Sequence, residues 1–275
     1  MLDAGAICDP VGIFDPAVAV AGLNTAGTER VPRLTADELE LYMDDNAGQA
    51  DVNIYRARRD AIGQGFSMPK PVTAVNTTGF EAVPSVSSDG LTLYFHSSHV
   101  TGEGVHLYVA TRGSRIGEFG APSEVTNVNS SVVTDSDTQP FVTADGQELW
   151  FTSNRAGGLG GADLYRATWN GSSFGDVVAV TELSTSANDV VPTLSADRLT
   201  VYLSSDRPNG TGGLDIWSAH RSTIHDGFPI PTPVAELNTP GTEILGWLSP
   251  DNCRIYFSSD IAGTNDIYVA TRHPM

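Results

Sequence analysis

Residues 189–221 read DVVPTLSADRLTVYLSSDRPNGTGGLDIWSAHR, and the way this stretch divides decides the fold. Asp189 to Ser195 makes a short strand that ends in the tight turn Ala196-Asp197-Arg198, with Asp where turns favour it. Leu199 to Ser204 follows, β-branched and aromatic, with the composition of a buried strand. Ser205 to Gly213 is a run of chain-breakers, and Asp215 to His220 is a third strand. A fourth opens near Phe228 and runs through PTPVAEL to Asn238. The unit is four antiparallel strands on short connections, with hardly a helical period.

The same order of residue types occurs five times, beginning at Glu29, Glu81, Asp137, Asp189 and Glu243. From Pro32 to Pro84, Pro140 and Pro192, and on to Gly246 in the proline slot, the steps are 52, 56, 52 and 54 residues. A period this long, built from short strands, signals a propeller or a solenoid. A solenoid needs caps at its ends and none is visible, whereas four-stranded sheets repeated radially make a β-propeller. Closure strengthens the choice. Fourth-strand segments stand at 66–76, 119–129, 174–184 and 228–238, but the fifth copy ends at Arg272 without one. The missing piece stands at the other end of the chain, as FDPAVAVAGLN at 14–24. The expectation is therefore all-β: one five-bladed β-propeller domain over 1–275, four antiparallel strands per blade. The blades fall at 29–76, 81–129, 137–184, 189–238 and 243–272, with the N-terminal strand 14–24 completing the fifth.

The chain carries two cysteines, Cys8 and Cys253. Cys253 falls in the first turn of blade five, and Cys8 precedes that blade's outer strand at the same end of the ring. A disulfide between them would staple the closure and place the protein outside the cytosol; the alternative is two unrelated thiols. Acids outnumber bases 33 to 15, for a formal charge of −18. Such a field repels polyanions, so DNA, RNA and anionic membrane surfaces are poor partners, and cations, basic proteins or neutral sugars fit better. No apolar run is long enough to span a membrane, and no leader pattern opens at Met1, so an exported protein would have had its leader removed. A monomer is expected.

Segments such as 192–217, PFVTADGQELWFTSNRAGGLGGADLY (140–165) and WLSPDNCRIYFSSDIAGTNDIY (247–268) resemble the WD40-like PD40 repeat of TolB-type propellers. The resemblance covers nearly the whole chain. It implies a bacterial interaction module that is periplasmic, secreted or displayed at the cell surface. Blade one departs from the pattern, reading LTADELELYMDDNAG without the Ser-Asp-Arg loop.

Candidate sites follow from the blade register. Glu29, Glu81, Asp137, Asp189 and Glu243 each open an inner strand and are expected at one end of the central funnel. Crowded carboxylates there would suit Ca²⁺ or a polar ligand; alternatively each accepts backbone N–H bonds from its neighbouring blade. Trp247 follows Gly246 on an inner strand and could stack on a sugar, while Trp150 and Trp217 replace Tyr and are expected in the core. The inter-blade residues Asn24, Asn76, Asn129 and Asn238 offer donor and acceptor at the funnel face. In the Gly-rich loops, Arg155 is matched by position with Asp163 and Arg207 with Asp215. Blade two carries His99 and His106 in those slots, and blade one Ala47 and Asn53. With His96 these histidines could bind a metal, although two of them only fill the Arg and Asp slots. No Gly-x-Ser-x-Gly elbow is read, so a serine hydrolase is not expected, and neither cysteine has a histidine nearby in the expected fold. Two functions follow. One is an exported, non-catalytic module holding a protein, glycan or small polar ligand at the funnel face. The other is a glycoside hydrolase using funnel carboxylates, Glu81 or Glu243 as acid and Asp137 or Asp189 as base.

Overall fold

The computed structural model describes residues 8–46, 51–98 and 104–272. The chain begins with a two-residue strand, β1 (Val18–Ala19). Blade one is β2 (Glu29–Leu34), β3 (Glu40–Asp45), β4 (Asn53–Arg58) and β5 (Lys70–Pro71). Blade two is β6 (Glu81–Val86), β7 (Thr92–Ser97), β8 (His106–Thr111) and β9 (Ser123–Glu124). Blade three is β10 (Asp137–Val142), β11 (Glu148–Ser153), β12 (Asp163–Trp169) and β13 (Phe174–Ala179). Blade four is β14 (Asp189–Leu194), β15 (Thr200–Ser205), β16 (Asp215–His220) and β17 (Thr232–Pro233). Blade five has β18 (Glu243–Leu248), β19 (Arg254–Ser259) and β20 (Asp266–Thr271). Each sheet has four strands, all paired antiparallel, and the fifth runs β1-β20-β19-β18. The five-bladed propeller expected from the repeat is the observed fold.

The N-terminal segment closes the ring. Val18 pairs with Val269 and Ala19 with Tyr268, and a further bridge joins Phe14 to Arg272. Asp15 N donates to Thr271 O and Val20 N to Ile267 O. Arg272 lies over the Phe14 ring, 4.1 Å from its centroid, and donates to Gly12 O. Cys8 and Cys253 are joined by a disulfide, their Cα atoms 5.8 Å apart.

Hydrophobic side chains fill the space between neighbouring blades, because each sheet has two faces and each must be covered. Trp150 and Trp217 are buried together with Phe141, Leu164, Leu203 and Phe228, between blades three and four. On the inner strands the backbone bulges before the proline. Val31, Val83, Gln139 and Val191 take φ of 45°, 48°, 54° and 51°, a region L-residues rarely enter. The bulge turns one N–H toward the preceding blade, where a polar side chain near the end of the second strand accepts it. Val83 N donates to Asp44 (3.0 Å), Gln139 N to His96 Nδ1 (3.1 Å), Val191 N to Thr152 Oγ1 (3.3 Å) and Leu245 N to Ser204 Oγ (2.8 Å). Ser258 occupies the same place at the closing junction, and its Oγ has no hydrogen-bond partner among the described residues. There Gly246 replaces proline, since a Cβ would come 2.5 Å from Pro32 O.

The disulfide spans 245 residues. Loop-closure entropy for so long a loop makes Cys253→Ser cost about 2–5 kcal/mol of unfolding free energy. Urea unfolding of the variant checks this, and an unchanged midpoint would mean the main-chain bonds of β1 suffice.

Candidate functional site

The structure places the five inner-strand acids inside the blades. Glu29, Glu81, Asp137, Asp189 and Glu243 are all 0% exposed. Each carboxylate accepts from the connection that leads into its own strand. Thr77 N donates to Glu81 at 2.9 Å and Thr239 N to Glu243 at 2.9 Å, and the same threonines donate through Oγ1 at 2.6 Å. Thr25 and Thr185 treat Glu29 and Asp189 alike, and Ser130 N donates to Asp137. Serines ending the second strand add a hydroxyl: Ser97 to Glu81, Ser205 to Asp189 and Ser259 to Glu243. For Glu81 and Glu243 the donors are backbone amides and short hydroxyls, which satisfy a buried carboxylate without solvent, whereas Glu29 Oε2 has no hydrogen-bond partner among the described residues. In blade one that serine is replaced by Asp45; burial, reinforced by the Asp45 charge, raises the pKa of Glu29. Among the described residues no three His, Cys, Asp or Glu side chains gather to hold a metal ion.

The expected Arg155–Asp163 and Arg207–Asp215 pairs are not made. Arg155 bonds instead to Asp137, and Arg207 to Asp189. Asp163 accepts from Leu159 N and Gly160 N, and Asp215 from Thr211 N and Gly212 N, so these aspartates hold loop backbone. Gly210 permits the close approach, because a Cβ there would sit 2.1 Å from Asp215 Oδ2. The covariation legible in the chain is thus a different one. Inner-strand Asp accompanies Arg155 and Arg207, while Glu29, Glu81 and Glu243 stand where the slot holds Ala47, His99 and Ile261.

The inter-blade asparagines are likewise engaged. Asn76 accepts from Ile54 N and donates to Ile54 O, at 2.9 and 3.0 Å. Asn129 does the same to Leu107, Asn238 to Ile216 and Asn24 to Ile267. One amide side chain thereby imitates a strand residue and ends the third strand's free edge.

The axis is filled by one residue per blade, the position after the proline slot: Arg33, Ser85, Phe141, Thr193 and Trp247. Arg33 crosses the ring from blade one to donate to Thr193 Oγ1 (2.6 Å) and Pro192 O (3.3 Å), and it lies 5.1 Å from the Phe141 centroid. It is 1% exposed, and burial pulls its pKa down to about 9. Beside it, at the end bearing the first-to-second-strand turns, all five blades line a cavity of about 50 Å³. That leaves room for a few waters rather than a sugar ring. Trp247 is 9% exposed and borders this cavity, near the opposite end of β18 from Glu243.

His96 is a buried junction residue, accepting from Gln139 N, and His106 lies 3.8 Å from Glu124. His99 and Ala47 fall outside the described residues. The string Gly171-Ser172-Ser173-Phe174-Gly175 spells a nucleophile-elbow pattern that the sequence reading passed over. It occupies the turn between β12 and β13, where Asn170 caps the Ser172 and Ser173 amides and no helix follows.

No family model matches the chain, and no curated protein matches it. Solved structures do. The α-L-arabinofuranosidase from Lactobacillus brevis is 13% identical with a TM-score of 0.63, covering 88% of this chain and 90% of that one. The endo-arabinase from Bacteroides thetaiotaomicron is 12% identical with a TM-score of 0.61, covering 94% and 98%. TolB from Acinetobacter baumannii is 19% identical with a TM-score of 0.47; 94% of this chain is covered, and it spans 55% of TolB. Identities this low show the propeller fold alone, and the TolB superposition is too loose to carry more.

Two outcomes test the buried network. Arg207→Met strands Asp189 in a dry site and is expected to cost about 3–5 kcal/mol. Adding Asp189→Asn should cost less than the sum of the two single changes, as read by urea unfolding. Burial pushes the pKa of His96 down to about 3. The unfolded chain therefore takes up this proton below about pH 6.5 while the native protein does not. Stability should be indifferent to His96 above that pH and fall below it, approaching a slope of about 1.4 kcal/mol per pH unit. The difference between wild type and His96→Asn across pH 4–8 isolates this contribution; a flat difference contradicts it.

Proposed function

We propose that this propeller is an exported, non-catalytic interaction module of PD40 type, which holds a protein or glycan on the face bearing the Gly-rich loops. The observation that carries the proposal is an inversion of polarity between axis and loops. The five acids that would work on a ligand in the funnel are buried and bonded within their blades. The loops at that end instead expose apolar side chains: Val132 (52%), Val133 (60%), Leu159 (57%) and Ile261 (52%). Exposed apolar residues beside polar loops favour a macromolecular partner over a small polar solute. The Cys8–Cys253 bond fits an oxidising compartment. Among the described residues no helix is long and apolar enough to cross a membrane, which says nothing of strands.

Glycoside hydrolysis is the second reading, because solved propellers named as arabinofuranosidase and endo-arabinase share the fold. It needs two carboxylates reaching one glycosidic bond from unlike surroundings. In this chain Asp137 and Asp189 pair with guanidinium groups while Glu81 and Glu243 accept from amides and hydroxyls, so their surroundings differ, but all four carboxylates are buried within their blades.

The test is incubation with arabinan and a panel of chromogenic glycosides over pH 4–8, beside retention on the same polysaccharides and on immobilised envelope proteins. No turnover is expected, with any retention weakened in Val133→Asp/Leu159→Asp. Turnover that Glu81→Gln or Glu243→Gln abolishes would replace the proposal with the enzyme reading.

A further inference from the structure

Arg33 is buried on the ring axis, and among the described residues no carboxylate meets it. It is 1% exposed, donates to Thr193 Oγ1 and Pro192 O, and lies over the Phe141 ring. Its Nε is buried without a hydrogen-bond partner among the described residues. A pKa lowered to about 9 still leaves it charged at neutral pH. Other buried arginines are answered by an acid, Arg112 by Glu40 and Arg207 by Asp189. A guanidinium taken out of water is costly unless an opposite charge lies close. Two neutral acceptors and a ring face offset only part of that cost.

The cavity of about 50 Å³ beside Arg33 has the composition of an anion site. Arg33 is the one ionisable group in its lining, which contains neither Asp nor Glu. Ser85 also lines it and is 2% exposed; its Oγ accepts from Val142 N, which leaves the hydroxyl proton to be donated. Most of the remaining wall is apolar, including Leu34, Phe141, Leu194 and Trp247, so both donors act in a poorly polarisable space. The cavity reaches the surface between small exposed residues, one per blade: Ala36, Ser88, Ala144, Ala196 and Pro250. Each is followed by an aspartate that accepts from a hydroxyl of its own turn. Those five carboxylates and the formal charge of −18 oppose the approach of polyvalent anions. The volume admits one halide with a water or two, and no larger ion.

We infer that the axis of the propeller binds a single halide ion, received by the Arg33 guanidinium and the Ser85 hydroxyl. The site lies at the opposite end of the ring from the Gly-rich loops, so it stands or falls independently of the partner proposed there. A guanidinium is weakly hydrated, and a small ion loses more on leaving water than a large one. Bromide and chloride should therefore bind ahead of fluoride.

The test has a crystal arm and a solution arm. Wild-type crystals grown without halide and soaked in sodium bromide should show an anomalous peak on the axis, in contact with Arg33. In solution, thermal unfolding is followed against sodium bromide, chloride and fluoride, with ionic strength held constant by sodium gluconate. A saturable rise in Tm of about 3 °C is expected at tenfold excess of bromide or chloride over its dissociation constant. Fluoride should need about tenfold higher concentration for the same effect. Strongly hydrated ions generally stabilise proteins by exclusion from the surface, so a bromide-first order cannot come from that source. Arg33→Met should lose the bromide response. The inference is overturned by wild-type crystals with no axial peak, by fluoride matching bromide, or by Arg33→Met responding undiminished. A peak with no solution response marks binding at crystal concentration only and overturns it too. Should Arg33→Met not fold, the axial peak and the halide order in wild type decide the matter alone.

Discussion

A carboxylate taken wholly out of water at the first residue of every inner strand is the contact on which this ring depends. Left without donors, such a group would cost several kcal/mol. Each of the five is instead met by the backbone N–H of the inter-blade connection, and four of them by a threonine hydroxyl from the same residue. The bond fixes where one blade ends and the next begins.

Two further devices hold the blades in register. The strained bulge of each inner strand aims an N–H backwards, and a polar side chain of the preceding blade receives it at four junctions. That position varies from Asp44 to His96, Thr152 and Ser204 because only an acceptor is required. The asparagines of four connections end the third strand by imitating backbone. At the fifth junction, where no such bulge contact is made among the described residues, the N-terminal strand and the Cys8–Cys253 bond do the closing. The outer edges at Lys70–Pro71 and Thr232–Pro233 are two residues long and each contains a proline that cannot donate, whereas β13 of blade three presents a six-residue edge.

The architecture was legible because period and strand length survive in the chain as letters. The displaced fourth strand at 14–24 was legible for the same reason, and it located the cysteine pair. Side-chain pairing was not. Arg155 and Asp163 stand at the two ends of one loop and so look like partners, but the loop backbone uses the aspartate, and the arginine turns inward to Asp137. The signal was present in the alternation of Asp with Glu at the inner-strand start. Arg33 was missed as well. Its slot holds Arg, Ser, Phe, Thr and Trp across the repeats, and such variation at one repeat position marks residues that meet their own copies at the axis. The five acids are buried and bonded to the inter-blade connections, a burial that periodicity cannot report, and Trp247 borders the small cavity at the far end of the ring.

The claim that these carboxylates lock the inter-blade connections is tested most directly by native-state hydrogen exchange at the amides of Thr25, Thr77, Ser130, Thr185 and Thr239. All five donate to an inner-strand acid. They should exchange only through openings that cost nearly as much as global unfolding, despite lying in loops. Exchange at close to unprotected rates, while neighbouring strand amides stay protected, would contradict the account.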